Sequence, residues 1–303
     1  MKASEPVIRT PLVRAIEARL EQPFEHLRPT LDAFVSAHAA TGWVVLSDYV
    51  VRQQGRAMSA AAFTLMPAID FNSVYGFAEK TARCDFKDCD RIGSEMCEFI
   101  TSPLFFTFCF TFLDNPFNAL SAEQVRDMLD ASIERMAPHV HVHVPGREHL
   151  HKKLRQLRQE ANAKAFNFRL VGDLLFLSTA AAYIGLQVGR RTRLEKFGWF
   201  SDKDKIVEAH NEIAMDLFAS AVADYWQEIE KGSAGPKLGK LDFEDHATRP
   251  WYDPMLRIAD HIAGAVAGWN QSAEGIDGLS PKYQQILRLI AMHPNRAQII
   301  RID

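Results

Sequence analysis

Apolar and polar residues fall in blocks along this chain, and the period of the pattern changes from block to block. Between residues 7 and 27, Ile8, Leu12, Val13, Ile16, Leu20, Phe24 and Leu27 recur at helical spacing, which predicts one amphipathic helix, with a second, short one near 29–39. At Trp43-Val44-Val45-Leu46-Ser47-Asp48-Tyr49-Val50 the helical period is lost. Four apolar residues run into a serine and an acid, the pattern of a buried strand that carries a charge to its end. Met58 to Met66 follows the polar break Arg52-Gln53-Gln54-Gly55-Arg56 and predicts the second arm of an antiparallel hairpin. Pro67–Phe77 reads as an aromatic loop, Lys80–Lys87 as a third strand and Ile92–Ile100 as a helix. Leu104–Phe112 is almost continuously apolar and reads as a central strand.

Helical periods dominate the second half. Ser121 opens a helix whose stripe is Val125, Met128, Leu129, Ile133 and Met136. Residues 139–144 alternate strictly, histidine on one face and valine on the other, as a short strand would. A basic helix is expected over 147–164, with Leu150, Leu154 and Leu157 inward and Arg147, Lys152, Lys153, Arg155, Arg158 and Lys164 toward solvent. Leu170–Val188 predicts a buried helix and Leu194–Phe200 a strand that ends before Ser201-Asp202-Lys203-Asp204. Ile206, His210, Ile213, Leu217, Ala221, Tyr225 and Ile229 share one stripe of the next helix. Residues 231–250 read as a surface linker or ordered loop. Tyr252–Trp269 and Ser280–Met292 are the last two helices, with Pro294 as the stop.

Strands interleaved with helices place the chain in the α/β class. At 303 residues it can build one large or two ordinary domains, and a net charge of -3 argues against wholesale electrostatic wrapping of nucleic acid while leaving room for a local basic patch. Met1–Thr10 is polar with no apolar segment behind it, and the longest apolar run, Leu170–Leu186, is broken by Gly172, Asp173, Ser178 and Thr179, so no membrane span and a cytoplasmic location are expected. Cys84, Cys89, Cys97 and Cys109 are spaced C-x4-C-x7-C-x11-C, without the C-x2-C knuckles of a structural zinc site, and read as reduced thiols.

The candidate chemistry lies in acids at the ends of elements. Asp48 sits in the first strand, where an unpaired buried carboxylate is costly. Asp202 and Asp204 follow the late strand. Asp260 lies on a helix whose residues three, four and seven further on are Ala263, Gly264 and Ala267, a stripe that lets another element come close. Magnesium or manganese is the natural neutraliser of such acids, because hard cations prefer carboxylate oxygen. A pair of these ions would activate water and stabilise a leaving oxygen in phosphodiester cleavage. Each acid taken alone is more simply a partner of an arginine or a helix cap. His210, on an inward stripe, is either a core histidine or a proton shuttle beside Asp202.

An Asp-bearing first strand, a second strand paired with it, a late strand ending Trp199-Phe200-Ser201-Asp202-Lys203-Asp204 and a helix reading Ile258-Ala259-Asp260-His261-Ile262-Ala263-Gly264 together resemble the ribonuclease H-like superfamily, in particular an uncharacterised branch with an acidic first strand and a C-terminal Ala-Asp-x-Ile-Ala helix. The resemblance spans about 43–90 and 190–270. It implies a five-stranded mixed sheet with helices on both faces, and acids that bind divalent metal for nuclease or transfer chemistry. On it Asp48, Asp202 and Asp260 match the metal-binding acids, Asp85 is the additional acid and Mg2+ or Mn2+ is the cofactor; beside the resemblance, Asp204 is the alternative to Asp85 as the auxiliary ligand. The chain departs from the branch after Asp48, where Tyr49-Val50 replaces an acid and a small turn residue.

The expected organisation is a helical extension over 1–42 and a ribonuclease H-like domain over 43–303 with a helical insertion at about 114–190. The expected function is metal-dependent cleavage of nucleic acid, with Asp48, Asp202, Asp260 and His210 at the catalytic centre and the basic helix 147–164 holding the phosphate backbone. One alternative is a non-catalytic protein of the same fold that binds nucleic acid or another protein. A second is a zinc hydrolase built on His139, His141 and His143, since alternate strand residues share a face.

Overall fold

The structure, a computed structural model, describes residues 11–56, 58–82, 84–112, 120–140, 147–202, 205–229, 235–239, 252–269 and 275–302. The chain divides into two compact units, one built on a sheet (29–114, 196–202 and 239–303) and one helical (1–28, 115–195 and 203–238). The helices expected as an insertion thus share a unit with the start of the first helix and with residues beyond the late strand.

The first two expected helices are a single one, α1 (Pro11–His38), which runs through Pro23 and Pro29. Each proline removes one backbone hydrogen bond, but Leu20, Phe24, Leu27, Leu31, Phe34 and Val35 are all buried along its length, and that burial outweighs the loss.

In the sheet unit, β1 (Gly42–Val50) and β2 (Ser59–Pro67) form the expected antiparallel hairpin, with Trp43 opposite Pro67 and Asp48 opposite Ala62. Residues 67–87 differ from the expected loop and strand. Asp70 accepts a hydrogen bond from the Ser73 N–H and starts helix α2 (Phe71–Thr81), and a 3-10 turn covers Phe86–Asp88. Helix α3 (Ser94–Ile100) leads to β3 (Phe106–Phe112), antiparallel to β2. The late strand β4 (Lys196–Ser201) lies parallel to β1. A strand absent from the sequence reading, β6 (Ala297–Arg301), lies parallel to β3, and the sheet order is β5-β4-β1-β2-β3-β6, with β5 the three-residue Lys237–Gly239. The fold is therefore α/β, with a six-stranded mixed sheet flanked by helices. Helix α8 (Asp253–Ala267) packs across β1 and β2, where Ile258, Ala259, Ile262, Ala263 and Val266 share a core with Val44, Leu46, Ala60 and Ala62; α9 (Pro281–Met292) adds Ile286 and Leu287.

The helical unit holds α4 (Ala122–Met136), α5 (Arg147–Glu160), α6 (Phe168–Gly189) and α7 (Lys205–Ile229). Ser121 and Gln124 close a reciprocal capping box on α4. Helix α6 is long and apolar enough to cross a membrane, and it is buried throughout Val171–Val188. Helix α7 is not one continuous cylinder: Ala209 to Glu212 leave helical geometry, and His210, Asn211 and Glu212 take positive φ. The stripe expected from Ile206 through His210 to Ile229 is broken there. The strand expected over 139–144 begins instead with a 3-10 turn, Ala137–His139, and residues 141–144, including His141 and His143, lie outside the described residues.

Candidate functional site

The sheet brings two of the expected acids together. Side chains alternate along β1, so Val44, Leu46 and Asp48 face α8 while Ser47 and Tyr49 face away. On the far face, Trp199 Nε1 donates to Ser47 Oγ at 2.7 Å and Ser201 Oγ donates to Tyr49 Oη at 3.0 Å. Ser47 Oγ also contacts Tyr49 Oη. Burial first of all holds the Tyr49 phenol protonated far above its ordinary range. Tyr49, the departure noted after Asp48, is thus the centre of a buried polar network behind the strand.

On the near face, the Asp48 carboxyl is within hydrogen-bond reach of the Asp260 carboxyl on α8. Asp48 also accepts its neighbour's amide, Tyr49 N–H to Oδ1 at 2.6 Å. Asp260 accepts the Phe86 N–H at 2.7 Å. Burial raises the Asp260 carboxyl above the usual carboxylate range, opposed by the Phe86 N–H, by Arg257, by the contact with Asp48 and by Lys87. Two carboxyls this close share a proton or need a cation between them.

Arg257, one turn before Asp260 on α8, supplies part of the compensation. Its guanidinium donates to Asp85 Oδ1, to Asp253 Oδ2 at 2.7 Å, and stands 4.0 Å from Asp260 Oδ2. Burial shifts the Arg257 guanidinium downward, resisted by the charges of Asp260 and Asp48. Lys87 Nζ lies 3.5 Å from Asp85 Oδ2 and is 73% exposed. Four carboxyls, Asp48, Asp85, Asp253 and Asp260, therefore surround one guanidinium and one rim ammonium. Close approach is possible because Gly264, one turn beyond Asp260, has no side chain: a Cβ there would collide with the Phe86 ring.

His261 lies next in the chain to Asp260 but is directed elsewhere. Its Nδ1 donates to the Arg257 carbonyl at 2.8 Å, and its Nε2 stands 4.0 Å from Cys89 Sγ. Burial lowers its imidazolium to about 4, with the charges of Arg257 and Lys282 acting in the same direction and the bond to the Arg257 carbonyl against it. Cys84 and Cys89 are joined in a disulfide, a correction to their reading as reduced thiols; Cys97 and Cys109 are free. A cavity of about 200 Å³ adjoins the disulfide, lined by Cys84, Cys89, Arg91, Glu95 and His261 among others.

The other expected site residues are placed as follows. Asp202 follows β4 directly. Its N–H donates to the Ser47 carbonyl at 3.0 Å, one step beyond the Ser47–Ser201 pair, so it borders Asp48 in the strand register. Asp204 lies outside the described residues. His210 belongs to the helical unit, where its Nδ1 donates to Glu160 Oε2 at 2.6 Å. The basic helix is shorter and less free than expected. Arg147 is buried, Lys153 pairs with Asp216 at 2.5 Å and Arg158 with Asp130 at 2.9 Å, which leaves Lys152 and Arg155 on α5, and Lys164 after it, exposed.

Sequence reasoning missed Arg257, Asp253 and His261. The signal was available for two of them: Asp253, Arg257 and Asp260 are four and three residues apart, the spacing that puts side chains on one helix face.

The fold and the site thus define an α/β protein with a partly buried acid pair between its first strand and a late helix. No protein-family profile, curated protein or solved structure matches the chain.

Proposed function

We propose that the sheet unit is a divalent-cation-dependent phosphodiester hydrolase acting on nucleic acid, of ribonuclease H-like type. The observation that carries this reading is the contact between Asp48 and Asp260, two acids 212 positions apart whose carboxyls meet at the edge of the apolar core between β1 and α8. The parallel pairing of β4 with β1, which sets Asp202 beside Asp48, supports it further.

The donor set fits a hard cation held by two carboxylates with water in the remaining positions, the usual manner of Mg2+. Among the described residues no group of three or more His, Cys, Asp or Glu side chains is arranged around one point, so the fit is to one ion at the pair rather than to a larger cage. When bound, the ion would polarise a phosphodiester oxygen and lower the pKa of a bound water. Asp48 and Asp260 would hold it. The Phe86 N–H fixes the Asp260 oxygen, and the charge of Arg257, tied to Asp85 and Asp253, favours the ionised form of Asp260. The exposed Lys87, which pairs with Asp85 at the rim of the group, is the candidate cation for a substrate phosphate.

A second reading, a non-catalytic binding protein of this fold, is favoured by the same arginine: Arg257 already answers Asp85, Asp253 and Asp260, as a purely structural ion network would. Calorimetric titration of Mn2+ into chelator-treated protein separates the two. Binding that both Asp48→Asn and Asp260→Asn abolish, together with metal-dependent cleavage of labelled DNA or RNA, supports the hydrolase. No binding, or binding indifferent to both substitutions, leaves the structural network.

A further inference from the structure

The disulfide bounds the short loop that carries Asp85, Phe86 and Lys87, and its two sulfurs differ in surroundings. Cys84 is exposed, whereas Cys89 is 7% exposed and faces His261. We infer that Cys84–Cys89 is a thiol–disulfide exchange site for a small thiol admitted by the adjoining cavity, and that its opening releases the loop that holds Asp260 and Arg257.

The geometry supplies what exchange needs. An incoming thiolate reaches the exposed sulfur, and exchange is fastest where one sulfur is accessible and the other can leave. The cavity of about 200 Å³ is lined by Cys84, Cys89, Arg91, Glu95 and His261 among others, space for the thiol-bearing end of a small molecule rather than a folded protein. The thiol formed at Cys89 once it takes up a proton has acceptors within reach. His261 Nδ1 is committed as a donor to the Arg257 carbonyl, so Nε2 presents its lone pair toward Cys89, and Cys89 Sγ lies 3.2 Å from the Asp85 carbonyl.

In the first step the thiolate bonds to Cys84 sulfur and the Cys84–Cys89 bond breaks. Its electron pair stays on Cys89, which takes up the proton the incoming thiol gave up. A second molecule of the small thiol attacks the adduct, leaving the Cys84 thiol and an oxidised small disulfide. The protein has gained two electrons and two protons from two thiols, and the small disulfide reverses the reaction.

The consequence falls on the acid group. Within the loop, Asp85 is paired with Arg257 and Lys87, and the Phe86 N–H is the donor to Asp260. With the bond open, these contacts are no longer closed into a ring of six residues and fluctuate independently.

The test uses the full-length chain equilibrated with mixtures of reduced and oxidised glutathione, trapped by alkylation and read by mass spectrometry. The expected result is interconversion of the 84–89 pair across the mixtures with far-ultraviolet circular dichroism unchanged, and amide exchange at Phe86 about tenfold faster in the reduced form, as loss of one hydrogen bond to a charged group implies. Cys89→Ser is expected to carry a glutathione adduct on Cys84, and Cys84→Ser none on Cys89. A disulfide that opens only when the chain unfolds, or an adduct formed on Cys89 in preference to Cys84, overturns the exchange site. Equal Phe86 exchange in the two forms overturns the release of the loop.

Discussion

The carboxyl of Asp48, near the end of the first strand, meets the carboxyl of Asp260, in the middle of α8. Such a pair works against stability unless a proton or a cation lies between its members, because burial and mutual repulsion both oppose the doubly ionised form. Its presence at the edge of an apolar core is the fold's clearest local conflict, and conflicts of this kind gather at functional sites.

That conflict gives the first prediction. An asparagine at 260 can accept the Phe86 N–H through its oxygen and donate to Asp48 through its amide, so Asp260→Asn keeps both hydrogen bonds without the second charge and gives up only the attraction of Arg257 and Lys87. Metal-free Asp260→Asn is expected to be more stable than the parent by about 1 kcal/mol in urea denaturation at neutral pH, the common size of a stability–function trade-off. The same substitution should remove Mn2+ binding. Reduced stability in the metal-free variant would show that the acid pair is already balanced within the protein.

Arg257 should behave in the opposite way. Replacing it with methionine keeps much of the volume but strands Asp85, Asp253 and Asp260 without their shared partner. Removal of one side of a partly buried ion network costs about 3 kcal/mol. Arg257→Met is therefore expected to unfold at markedly lower urea, and Arg257→Met with Asp85→Asn and Asp253→Asn to recover part of the loss. No recovery in the triple variant would mean that the arginine acts by packing alone.

Gly264 tests how tightly the loop and helix must approach. A methyl at 264 meets the edge of the Phe86 ring, and Phe86 cannot retreat without moving the N–H that holds Asp260. Gly264→Ala is expected to cost about 2 kcal/mol, the penalty of overpacking a close junction, even though alanine favours helix. A gain in stability would show that the Phe86 loop is free to shift.

Much of this architecture was legible in the chain, and the reasons are physical. The hairpin, β3, α8 and α9 follow patterns with one dominant period. The small-residue stripe Ala263, Gly264 and Ala267 marked α8 as a helix closely approached by another element. Helix α2 was hidden because its start depends on one capping aspartate, Asp70, inside an aromatic stretch that looks like a loop. Strand β6 was hidden because five residues near the chain end carry too little pattern to stand apart from the tail of α9. The disulfide was hidden because a C-x4-C spacing carries no pairing signal of its own; a separation of five suffices only once a 3-10 turn folds Cys89 back toward Cys84. At the acid site, the cost of a buried carboxylate pointed to a positive partner but not to which one, because Arg257 joins the acids only through the shared face of α8.

His261 lowers the stability of the fold in acid. Its imidazolium is held at about 4 in the folded chain by burial, against an ordinary value of 6.5. Between these pH values the unfolded chain binds a proton that the folded chain refuses. Stability therefore falls as pH drops from 6.5 toward 4 and levels off below, by at most roughly 3 kcal/mol from this group. Asp260 has the opposite sign: its raised carboxyl keeps a proton that the unfolded chain has lost, so it lowers stability as pH rises above the ordinary carboxylate range. His261→Gln can still donate its amide to the Arg257 carbonyl while having nothing to protonate. Urea denaturation from pH 4.5 to 7 is expected to give a flatter profile for His261→Gln than for the parent, with the two curves together near pH 7 and the parent falling below the variant toward the acid end. Parallel curves across that range would place the acid sensitivity elsewhere and leave His261 as a packing residue behind the Cys84–Cys89 loop.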